Sequence, residues 1–130
     1  MLRVLTVVLL LLLPAAALAM TYACTVEKRY DLRRTYTREQ TKRGQFSVRI
    51  TEERDSASLR RCAFEKKRQK ISCDTPQPAD RIVFDATTKR KKFYFFATQA
   101  EVQLFSDLRF VDNNGRGGLS FGTCTVAPYP

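Results

Sequence analysis

The residues of this chain that could do chemistry are four cysteines, 13 carboxylates, a few hydroxyls and 23 lysines and arginines; there is no histidine. The absence of His excludes Ser-His-Asp and Cys-His nucleophiles, the commonest general base and the usual zinc sets. Cys24, Cys62, Cys73 and Cys124 form no C-x2-C pair, so disulfides are expected rather than a metal site. No spacing brings two carboxylates together, and Ser56 and Ser58 lie in a polar turn with no base nearby. Gly115-Arg116-Gly117-Gly118 reads as a hairpin turn, not a phosphate loop. No catalytic residue, cofactor or metal is therefore expected, and the reading is a non-enzymatic binding or structural module.

Two basic clusters could carry that binding. Lys89, Arg90, Lys91 and Lys92 run directly into Phe93-Tyr94-Phe95-Phe96. Basic-then-aromatic order suits an anionic membrane surface or a single nucleic-acid strand. The same residues also read as a charged hairpin tip guarding a β-prone strand, and that reading is preferred. The second cluster is Arg33, Arg34, Arg38, Lys42 and Arg43, with Tyr30 and Tyr36 interleaved, in a long polar connection from Asp31 to Gln45. Long polar connections can carry function, although this one reads first as a solvated, exposed and mobile segment or a ragged hairpin.

The formal net charge is +10, and it is unevenly placed. Residues 20–92 hold 20 basic and 10 acidic side chains, whereas residues 93–130 hold two and three. Such a field favours an anionic envelope component or a complementary protein as partner, and it also serves solubility. Nucleic acid is not the expected partner.

Position in the cell follows from the first residues. Arg3, the apolar run Val4 to Leu13 and the small-x-small site Ala17-Leu18-Ala19 read as an export signal over residues 1–19. An apolar run of about ten residues is too short to span a bilayer. Residues 20–130 then form one domain of 111 residues, periplasmic or secreted, with no membrane span. All four cysteines lie in it, and an even count in an exported chain suggests two disulfides.

Alternation of apolar and polar residues predicts strands. Tyr22, Cys24 and Val26 share one face, and Phe46, Val48 and Ile50 another. Cys62 and Cys73 are equidistant from the midpoint of Lys67-Arg68, as are Phe64 and Ile71. A hairpin turning there sets the two cysteines opposite each other, within reach of a disulfide. Cys24 and Cys124 are left to pair; other connectivities remain open on sequence grounds. Pro76 and Pro78 exclude an interior strand over Asp74 to Ala79.

Ile82 and Phe84 lead into Phe93 to Ala97, whose two faces are both apolar, so this strand is expected to be covered on both sides or to lie against a loop. Strands follow around Val102–Leu104 and Leu108–Phe110. Asn113-Asn114-Gly115 should then make a turn with φ > 0. A bulge at Gly122 would bring Leu119 and Phe121 onto the same face as Cys124 and Val126. Helical signals are weak, in 31–44 and around 98–104. About eight strands at regular spacing argue an all-β antiparallel barrel or sandwich, with first and last strands joined by a disulfide.

Tyr22-x-Cys24, Tyr30-Asp31, Gln45-Phe46-x-Val48, the internal cysteine pair, Phe84-Asp85-x-x-Thr88 and Gly122-x-Cys124 together carry a resemblance. Over nearly all of residues 20–130 the chain resembles a family of small four-cysteine exported proteins of Proteobacteria. The resemblance implies a secreted two-disulfide β domain and brings no activity with it. More distantly the chain is similar to the periplasmic c-type lysozyme inhibitors, small β-barrels with a terminal-strand disulfide, which makes inhibition of a secreted hydrolase the alternative function. Their Ser-Gly signature does not transfer, because Ser56-Ala57-Ser58-Leu59-Arg60 has no Gly. Lysozymes of that type are themselves basic, so a basic inhibitor would be repelled on approach.

Overall fold

A computed structural model describes residues 19–42 and 45–128, with backbone only at Lys42 and Pro128. The export signal expected over residues 1–19 lies outside these residues except for Ala19, and so does Arg43. The strands are β1 (Met20–Asp31), β2 (Phe46–Glu52), β3 (Ala57–Glu65), β4 (Lys70–Cys73), β5 (Gln77–Pro78), β6 (Arg81–Asp85), β7 (Arg90–Phe95), β8 (Ala100–Leu104), β9 (Arg109–Asn113) and β10 (Gly118–Pro128). One short helix, α1 (Arg38–Lys42), precedes β2.

The strands form one antiparallel sheet in the order β4-β3-β2-β1-β10-β9-β8-β7-β6, curled into a half-barrel. The fold is thus all-β as expected, with ten strands among the described residues where about eight were expected. The two-residue β5 falls in the proline segment. It pairs with β3 and leaves both residues exposed, the kind of edge position a proline tolerates. Ala79 N then donates to Ala57 O, and Asp80 N to Tyr94 O, each at 2.8 Å. Residues 77–80 therefore link the β3 arm of the sheet to the β7 arm.

First and last strands are neighbours in the middle of the sheet, with Cys24 opposite Cys124. The disulfides are Cys24–Cys124 and Cys62–Cys73, the second across the β3–β4 hairpin. The concave face holds the core. Cys24 and Val26, Val48 and Ile50, Ala57 and Leu59, Phe93 and Phe95, Val102 and Leu104, and Phe110 pack there at the period of two that the sequence shows. Burying each large apolar side chain contributes about 1.5–3 kcal/mol.

Several local expectations are corrected. The aromatic run is fully buried on one face only: Phe93 and Phe95 are buried, Tyr94 on the other face is half-buried, and Phe96 lies in the following turn, 61% exposed. The bulge lies on β1, not at Gly122. The register passes from Val26↔Gly122 to Lys28↔Phe121, leaving Glu27 as the extra residue. Leu119 and Phe121 consequently stay on the outer face. Gly122 is where β1 comes closest: a Cβ there would run into the Thr25 carbonyl oxygen and the Phe110 ring.

The β9–β10 turn takes positive φ at Gly115 (75°) and Gly117 (86°) and not at its asparagines. Those act through their side chains. Asn113 Oδ1 accepts from Gly115 N at 2.9 Å, and Asn114 Oδ1 from Arg116 N and Gly118 N at 2.8 and 3.0 Å. Around residues 98–104 there is a turn and then β8, not a helix.

Two exposed turns depend on an ionised carboxylate. Asp85 Oδ1 accepts from Thr87 N at 2.9 Å and Thr88 N at 3.2 Å, and these bonds from Thr88 and Thr87 hold its pKa below the ordinary carboxylate value. Asp107 is lowered likewise, first by the Arg109 backbone N–H. A depressed folded-state pKa gives stability that is present above the unfolded value, near 3.9, and lost as pH falls through the folded one. Melting temperature should therefore decline below about pH 4. The decline should be smaller for Asp85→Asn with Asp107→Asn; equal declines in parallel wild-type and variant melts from pH 6 to pH 2 would refute this.

Candidate functional site

The Glu27 bulge organises the region around the second half of β1. It reverses the facing of the strand, so Lys28 and Tyr30 stand outside opposite Phe121 and Leu119 while Arg29 turns inward opposite Ser120. A bulge also frees backbone groups from the ladder. The Glu27 carbonyl accepts from Thr41 Oγ1 at 2.7 Å, and Thr41 is buried in α1. This contact pins the connection to the sheet.

The start of α1 has a capping box. Thr37 N donates to Gln40 Oε1 at 2.9 Å, and Gln40 N to Thr37 Oγ1 at 3.2 Å. Tyr36 packs edge-on against Phe46 with centroids 5.5 Å apart, and the Arg29 guanidinium lies 5.2 Å and 4.6 Å from those two ring centroids. Asp31 Oδ1 accepts from Arg33 N at 2.8 Å. A connection expected to be mobile is thus tied down at Asp31, Tyr36 and Thr41, while Arg33, Arg34 and Arg38 remain exposed on it. Lys42 ends α1, and its side chain, like Arg43, lies outside the described residues. None of Arg33, Arg34 and Arg38 is in an ion pair with a described residue.

Two clefts flank this part of β1 and share Glu27, Lys28 and Tyr30. One, of about 280 Å³, lies between β1 and the connection and reaches Arg38. The other, about 440 Å³, lies on the outer face over β10 and β9 and is lined by Phe105, Val111, Phe121 and Arg109. Tyr30 meets Phe121 edge-on at 6.0 Å. The surface is aromatic in the centre and basic at its border.

The other cluster is divided. Lys89 sits exposed on the β6–β7 turn at φ 52°. Strand alternation then sends Lys91 inward, where Nζ meets Glu52 Oε1 at 2.6 Å. Arg90 and Lys92 face outward; Arg90 donates to Gln103 Oε1 at 3.2 Å and lies 5.4 Å from the Phe105 ring centroid. One of the four charges is therefore neutralised, and Arg90 and Lys92 face away from it.

A second ion pair lies within the curl, beyond Val48 and Val102. Arg61 Nε and Nη2 donate to the two Asp112 oxygens at 2.8 Å each, and the Asp112 side chain is only 4% exposed. Burial acts to lower the Arg61 pKa, but hydrogen bonding and charge pairing with Asp112, aided by Asp74, outweigh it and raise the value. The alternation of β3 places Arg61 on the core face, so the inward charge was legible; its partner, 51 residues away, was not.

No protein-family model, curated protein or solved structure matches the chain. Among the described residues no helix is long and apolar enough to cross a membrane, and no three Cys, Asp or Glu are grouped to hold a metal ion.

Proposed function

We propose that the protein is an exported, non-enzymatic binding module of the cell envelope that takes an anionic partner on its basic surface, with Arg33, Arg34 and Arg38 as principal contacts. The carrying observation is their placement: three exposed guanidinium groups with no carboxylate partner among the described residues, on a connection anchored by Thr41 and Tyr36. Anchoring lowers the ordering cost that a free loop would bring to binding. Two disulfides suit an oxidising compartment.

Each basic residue near an anionic surface contributes about 1 kcal/mol. Replacing all three arginines with Gln should therefore weaken binding to phosphatidylglycerol vesicles about a hundredfold and flatten its salt dependence. Unchanged binding, or its loss only on substitution of Lys89 to Lys92, would assign the wrong cluster.

A second reading, inhibition of a secreted hydrolase, is favoured by Tyr30, which lines the aromatic cleft and is 61% exposed, and by Leu32, two residues on and 88% exposed. Salt-resistant capture of a hydrolase from an envelope extract would select it over the first.

A further inference from the structure

The outer face of β1, β2 and β3 carries a charge arrangement that stability does not explain. Arg49 stands directly opposite Arg60. Phe64 N donates to Gln45 O and Glu53 N to Ser56 O at the two ends of this ladder, so Arg49 and Arg60 form a hydrogen-bonded pair with Cα atoms about 5.5 Å apart. Both side chains are exposed, and neither is in an ion pair with a described residue. Like charges directly opposed on a sheet are destabilising.

Their outer-face neighbours are neutral: Ala23 beside Arg49, and on the flanking rows Ser47 with the bridged Cys62 and Cys73, and Thr51 and Ser58 with Pro78. Two exposed forks thus rise from this face, with no carboxylate among those neighbours. Glu27, at the margin, accepts from Thr123 Oγ1 at 2.8 Å.

We infer that Arg49 and Arg60 together bind a phosphate monoester group displayed on a lipid surface. A phosphate monoester carries nearly two negative charges and several acceptor oxygens, matching two guanidinium groups. No aromatic side chain lies among those neighbours to stack a base or a sugar ring, which sets this face apart from the Tyr30–Phe121 cleft. Two exposed side chains on the outside of a sheet do not enclose a free ion, whereas a lipid surface presents many phosphates to them at once. This inference rests on the anionic-partner reading above but uses different side chains, so each can fail alone.

The test combines binding and melting. Wild type should pellet with phosphatidylcholine vesicles containing phosphatidic acid, and Arg60→Gln about tenfold less well, as for loss of one charge-assisted group. Arg49→Glu converts the repulsion into a cross-strand attraction. It should melt above wild type in phosphate-free, low-salt buffer and lose vesicle binding. A lower melt for Arg49→Glu would assign the arginines a structural role and overturn the inference. Wild-type-like vesicle binding by Arg49→Glu would also overturn it, and if the Arg33, Arg34, Arg38 variant alone lost binding, the earlier reading would stand without this one. Inorganic phosphate competing as well as vesicles at equal phosphate concentration would remove the lipid surface as the occupant.

Discussion

Arg61→Met should destabilise the protein by about 3–5 kcal/mol, the cost of breaking a buried ion pair from one side. Both Asp112 oxygens are held by the Arg61 guanidinium at 2.8 Å, and the carboxylate is otherwise enclosed by the sheet, next to Val102 on β8 and Ser120 on β10. Removing the guanidinium strips a carboxylate only 4% exposed of both donors that hold it, in a cleft of about 200 Å³ that it shares with Ser120, Asn114 and Arg116. The pair itself is a different matter. Arg61→Met with Asp112→Leu removes both desolvation penalties, and buried pairs replaced this way often end within a few kcal/mol of the parent, on either side. Urea melts of the two single variants and the double variant, with m-values compared, would measure the coupling. A cost below about 1 kcal/mol for Arg61→Met would mean that Asp112 is hydrated, as an exposed pair would be.

The second large effect concerns the disulfides. Cys24→Ala with Cys124→Ala should cost about 2–5 kcal/mol, and Cys62→Ala with Cys73→Ala less. The two bridges span 100 and 11 residues. In the chain-entropy model such loops correspond to about 4.7 kcal/mol for the longer and about 3 or less for the shorter. Burial points the same way: Cys24 and Cys124 both belong to the core, whereas Cys73 is exposed. Alanine at the core pair would lose packing as well as the tether. If the hairpin double variant proved the weaker protein in denaturant melts, denatured-state entropy would not be the governing term.

The parts of this fold that could be read from the sequence are those with short-range signals. Alternation gave Cys24, Val26, Val48 and Ile50 their common face. Symmetry about Lys67-Arg68 placed Cys62 against Cys73. The same symmetry about Arg54-Asp55 would have set Arg49 against Arg60, a pairing that alternation alone does not bring out. Thr37-x-x-Gln40 is a capping-box signature that the surrounding polar run obscured. The Glu27 bulge had no local signal: Gly122 is needed because another strand approaches it, so the glycine marked the partner of the bulge rather than the bulge. Long-range pairs such as Lys91–Glu52 and Arg61–Asp112 depend on the curl of the whole sheet, and no spacing along the chain encodes them.

The pairing of β1 with β10 also sets a timetable. Strands β1 to β4 are sequential neighbours on one side of that seam, and β6 to β10 on the other, so each group can zip from adjacent hairpins. The seam cannot form until residues 118–128 are available. A chain emerging N-terminus first would hold β1 with one ladder edge unpaired throughout that interval, exposing backbone groups that invite other strands. Its completion is the step with the largest loop to close, and so the natural bottleneck in reaching the native sheet.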